Sequence, residues 1–192
     1  HKGTAASSIR KENMVFIALI WGKNRGLKGL QEPILLRSNQ LTKRMSNLRL
    51  SQTVLSALLA AYSLLVALTN LSDYGVNFEF VRMVAGMSDT FGALKSGRSM
   101  QHPVFLNGMY ILIIAAEAGS GLLCARGAWQ MWQARHAPDI LFEDRKRSAV
   151  LGLLLGLTLW FGAFVVVGGE WFLMWQSKTW NAQATAFSLS IF

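Results

Sequence analysis

The sequence predicts an all-α membrane protein: an integral helical bundle of three full spans, a partial or truncated fourth, and a short amphipathic helix in the outer loop. Three observations lead there. Charged residues are only 15% of the 192, against 52% hydrophobic, where a soluble domain carries about 25% charged. Mean hydropathy is positive, at +0.32. The charges also leave three apolar stretches of the length that a bilayer core of roughly 30 Å demands, about 20 residues each.

Residues 1–44 precede the first stretch and carry nine Lys and Arg against two acids, which is +7 of the chain's +9. The run MVFIALIWG, Met14–Gly22, has the length of a signal-peptide core, but KNRGLKG follows it instead of a small-residue cleavage site. The basic residues are scattered and no nucleic-acid-binding motif accompanies them. This segment therefore reads as a basic cytoplasmic arm that contacts anionic lipid, not nucleic acid. A second reading starts the membrane domain, 45–192, at Met45 and makes 1–44 a non-native or alternative-start extension.

The first span is expected over 50–72, which holds no formal charge, and the second over 103–125, interrupted only by Glu117. The third covers 148–170, with Arg145, Lys146 and Arg147 before it and Glu170 at its end. The segment from Trp180 to Phe192 is too short to cross alone and reads as the start of a fourth span. Lys43, Arg44 and Arg49 before the first span, and Arg126, Arg135, Arg145, Lys146 and Arg147 between the second and third, place those ends in the cytoplasm. The amino terminus is then cytoplasmic. Trp129 and Trp132 mark the inner interface; Trp171, Trp175 and Trp180 mark the outer one.

Between the first two spans, Glu79, Arg82, Gly86 and Asp89 recur at three- and four-residue spacing, while Phe80, Val81, Val84 and Met87 fall on another side. That pattern is an amphipathic helix lying on the outer surface or capping the bundle.

Glu117 is the residue to explain, because an ionisable group within a span is costly. Its neighbours in AAEAGSG are small, which marks a close helix seam. On this register it lies about 12 Å from the inner end of its span, level with Ser56 of the first span and Gly156 and Thr158 of the third. Gly152 and Gly156 form a GxxxG pair that would let the third span approach. Glu117 is read as a neutral carboxylic acid hydrogen-bonded across the seam; the alternative is a proton or cation site. Glu170, about 20 Å away along the bilayer normal, is expected to pair with Arg82, Lys95 or Arg98.

Cofactor and metal sites find no support. Cys124 is the single Cys, which excludes an intrachain disulfide and any multi-thiolate site. His102 stands at an outer end, His136 in the inner loop and His1 at the terminus, so no pair faces across spans to hold haem. No HExxH, GxGxxG, P-loop or Ser-His-Asp pattern occurs.

Residues 46–192 resemble an uncharacterised bacterial family of predicted small integral membrane proteins. The resemblance is carried by NLSDYGVNFEFVRMVAGMSDTF from Asn70 to Phe91, by the Glu117 span, and by WFGAFVVVGGEWFLMWQSKTWNAQ from Trp160 to Gln183. It implies four helical spans in the bacterial inner membrane, with Trp180 opening the fourth, and brings no catalytic residues.

The functional expectation is a small multi-pass protein without enzymatic activity, an accessory or structural subunit of a larger inner-membrane complex, respiratory or photosynthetic. Its expected partners are membrane lipids and other integral membrane subunits. The alternative is a small proton-linked transporter or channel that uses Glu117. An outer-face enzyme built on Asp73, Glu79, Asp89 and Glu170 is the weakest reading, since those acids serve equally as salt-bridge partners.

Overall fold

A computed structural model describes residues 28–91 and 97–191. The Met14–Gly22 run and Lys95 lie outside the described residues. The chain divides into two compact units, His1–Leu48 and Arg49–Phe192, and the packing below is internal to the second.

Helices are the regular structure of the described residues, with no strand among them. Helix α1 (Lys28–Ser72) supplies the first span over Met45–Ser72. Helix α2 (Tyr74–Ala85) follows almost at once. Helix α3 (Pro103–Gln133) is the second span, opened by a proline at its first turn, where a missing N–H costs nothing. A short α4 (Asp139–Arg145) leads into α5 (Arg147–Leu157), which continues as a π-helical segment over Thr158–Trp171. Together these form the third long apolar helix, Asp139–Trp171. A 3-10 turn (Met174–Gln176) and α6 (Gln183–Ile191) complete the chain as described.

One element end differs from the sequence expectation. Arg126 does not stop the second span: α3 runs on to Gln133, because a long guanidinium side chain can reach the interface while its backbone stays helical. The segment read as a partial fourth span holds a helix of nine described residues from Gln183. At 1.5 Å per residue that is about 13 Å, far short of a bilayer core. It packs on the π segment: Ala186 is buried, and the Gln183 side chain reaches so close to Gly169 that a Cβ there would meet its Nε2 at 2.9 Å.

Small residues bring the second and third spans together. A Cβ on Gly127 would stand 2.3 Å from the Ala149 nitrogen, and one on Gly152 would meet the Cys124 nitrogen and the Ser120 carbonyl oxygen at 2.8 Å. On the other flank of α3, a Cβ on Gly121 would strike Leu64 of α1 at 2.7 Å. Backbones at such separations gain dispersion contacts along a whole face, which is what holds helices together where lipid removes the hydrophobic drive.

Each end of the bundle is finished differently. At one, Arg49 donates from Nη1 to the carbonyls of Arg135 (3.0 Å) and Ala137 (2.7 Å), pairs with Asp139, and lies over the Phe142 ring at 4.7 Å. Lys146 approaches the same ring at 5.2 Å. At the other end, α2 folds back on α3: Val81, Tyr110 and Ile114 form one buried cluster, and Ala85, Met87, Leu106 and Phe172 another. The apolar side of α2 lies within these clusters. The helix stops before Gly86, however, so Gly86 and Asp89 fall outside it. Met87 (φ 53°) and Leu173 (φ 55°) both turn the chain in the left-handed region, a conformation that costs a branched or bulky residue about 1 kcal/mol or more.

Candidate functional site

An acid inside an apolar helix must find a hydrogen-bond donor or draw in water. Glu117 is 2% exposed on α3 and finds its donor on α1: Asn70 Nδ2 donates to Glu117 Oε2 at 2.7 Å. Asn70 is in turn held by Tyr110, whose hydroxyl donates to the Asn70 carbonyl at 2.9 Å and stands 3.4 Å from its Oδ1. The Tyr110 ring meets Tyr74 edge-on with centroids 4.7 Å apart. Tyr74 donates to Asn107 Oδ1 at 2.9 Å, and Asn107 donates to the Pro103 carbonyl at the start of α3. These five side chains thus form two hydrogen-bonded groups, Glu117–Asn70–Tyr110 and Tyr74–Asn107, that meet at the Tyr110–Tyr74 ring contact and run from Glu117 to the end of the bundle that carries Trp171.

The depth of Glu117 follows from the length of α3. Sixteen residues separate it from Gln133, or about 24 Å of helix, not the 12 Å expected when the span ended at Ala125. Its level on α1 is accordingly that of Asn70. Ser56, also buried, lies fourteen residues earlier, about 21 Å away along α1. On the third span, Thr158 is exposed and donates to the Leu154 carbonyl of its own helix at 2.8 Å. Gly152 and Gly156 face Ser120 of α3: Ser120 donates to the Gly152 carbonyl at 2.8 Å, and a Cβ on Gly156 would come within 3.0 Å of its hydroxyl. Glu117 thus fastens α3 to α1, and Ser120, one turn further on, fastens it to α5.

Beside Ser120 lies a cavity of about 250 Å³ between α1, α3, the third span and α6. Tyr62, Ser63, Ser120 and Ser190 give it polar edges among leucines, and Trp160 closes one side. Among the described residues, no three His, Cys, Asp or Glu side chains converge to hold a metal ion.

Arg82 does not reach Glu170. It pairs with Glu79 one turn back in α2, with Nε donating to Oε2 at 2.7 Å. That hydrogen bond holds the exposed Glu79 carboxyl below its ordinary value and raises Arg82 above its own. Glu170, Trp171 and Trp175 are exposed at this end. Trp180 is half-buried against Phe80, 6.3 Å between centroids. Asp89 accepts from the Ser177 hydroxyl at 2.7 Å, and that hydroxyl accepts from the Trp180 N–H at 2.7 Å, tying the loop after α2 to the chain after the third span.

Sequence reading passed over Asn70 and Tyr110. Both are polar side chains within a run that is otherwise apolar, the pattern that marks an interhelical fastener.

Three apolar helices of spanning length, joined through buried polar contacts, define a small helical integral membrane protein. The chain belongs to the family described as predicted small integral membrane protein (DUF2165), which matches residues 48–192. Neither a curated protein nor a solved structure matches it.

Proposed function

We propose that the protein is a non-catalytic accessory subunit that packs against a larger complex of the bacterial inner membrane, respiratory or photosynthetic. The observation that carries this reading is how little the third span buries within the bundle. Only 11% of its most apolar window is covered, against 33% for the second span. A face that short of partners fits a neighbouring span. Glu117 supports a structural role, since its carboxyl already has a donor on another helix. Solubilisation in mild detergent, followed by identification of the co-eluting chains, tests the proposal: a stoichiometric membrane partner is expected, and a free monomer or homo-oligomer alone overturns it.

The orientation belongs to the same reading, with the Arg49 end in the cytoplasm because Lys and Arg gather there. A cysteine introduced at Asp139 should then react with an impermeant maleimide only after the cells are opened. One at Lys178 should react from outside.

A second reading, a proton-linked transporter or channel, is favoured by the polar side chains gathered from Glu117 to Asn107, two hydrogen-bonded groups that meet at the Tyr110–Tyr74 ring contact. In liposomes, Glu117→Gln would abolish pH-dependent flux; flux that persists unchanged removes this reading.

A further inference from the structure

At the Trp171 end a hollow of about 470 Å³ opens between α3 and the third span, within the roughly 300–1,000 Å³ of ligand sites. Its floor is apolar, built by Phe105 and Met109 of α3 and by Val166 and Val167 of the π segment. Of its lining residues only Glu170, next to Trp171, carries a charge, and the Arg98 guanidinium stands 6.0 Å from the centroid of the Trp171 ring. Among the described residues Glu170 makes no ion pair.

An apolar trough with a carboxylate in its lining, and a guanidinium near the ring of the Trp that follows that carboxylate, offers the two charges that a zwitterionic phospholipid headgroup needs. We propose that this groove binds phosphatidylethanolamine, with an acyl chain on Met109 and Val166, the phosphate at Arg98 and the ammonium at Glu170. A primary ammonium donates charge-assisted hydrogen bonds to a carboxylate, which a quaternary choline cannot do. Choline would seek an aromatic face instead, and the Trp171 ring already carries Arg98. An anionic headgroup such as phosphatidylglycerol meets repulsion from Glu170.

The test is native mass spectrometry of the full chain in detergent, titrated separately with dioleoyl phosphatidylethanolamine, phosphatidylcholine and phosphatidylglycerol. The ethanolamine lipid should bind at roughly tenfold lower concentration than the other two. Glu170→Gln should erase that preference while leaving choline-lipid binding unchanged, and Arg98→Gln should weaken all three. Both substitutions fall at exposed or half-exposed positions, and unchanged helicity by circular dichroism establishes that the variants fold. Equal binding of the three lipids by the unaltered chain, or a preference that survives Glu170→Gln, overturns the proposal.

Discussion

Glu117 and Asn70 show how a single buried pair sets a helix interface. Replacing Glu117 by Gln keeps an oxygen for the Asn70 amide, so stability should change by less than about 1 kcal/mol. Glu117→Leu leaves the Asn70 donor without its acceptor at a cost of about 1–3 kcal/mol. Thermal unfolding in micelles checks the pair of variants, and equal losses from both would show that the hydrogen bond is not what matters. Arg49 invites a similar test. Its planar fork serves two carbonyls and an acid together, which a Lys point charge cannot reproduce. Arg49→Lys should therefore cost about 1–2 kcal/mol and expose residues 134–138 to added protease. Glu117 was legible in the sequence as the one acid in an apolar stretch. Its partner was not, because an Asn three residues before Asp73 reads equally well as the polar end of a span.

Among elements, the seam between α3 and α5 is the most sharply specified. Gly127→Ala places a methyl carbon where the Ala149 backbone already stands, so the helices must part, at a cost of about 1–3 kcal/mol from overpacking. Gly108 lies in the same helix with nothing within 4 Å of an added Cβ, and Gly108→Ala should be neutral or slightly stabilising. A comparison of the two unfolding midpoints separates seam packing from general helix propensity; similar shifts would dismiss the seam. Helix α2 carries a small pH dependence. Because Arg82 lowers the folded-state value of Glu79, the pair's contribution is present above the ordinary carboxylate range and is lost as pH falls through the lowered value. The midpoints of the unaltered chain and Glu79→Gln should therefore converge on acidification. The apolar spacing of Phe80, Val81 and Val84 foretold α2, but its end did not follow from periodicity. Met87 takes a left-handed turn that its burial against Leu106 and Phe172 enforces.

For the whole molecule, the named fasteners lie within 49–192: Arg49 to the loop after α3, Asn70 to Glu117, Ser120 to Gly152, and Ser177 to Asp89. A chain begun at Met45 retains all of them. Its unfolding midpoint in micelles should match that of the full chain within a degree or two. A large drop would show that residues 1–44 support the bundle.

The sequence by itself determined that this protein is a helical membrane bundle, since spanning length and missing charge are local properties that need no tertiary contact. It also marked the small-residue faces along which the spans pack. Only the tertiary structure decided which levels meet. The extension of α3 past Arg126 moved Glu117 about 12 Å further from its helix end, and so gave it Asn70 as partner in place of a residue near Ser56. Register between antiparallel helices is set by the total of their contacts, here Gly121 against Leu64 and Gly127 against Ala149. No single span carries that information.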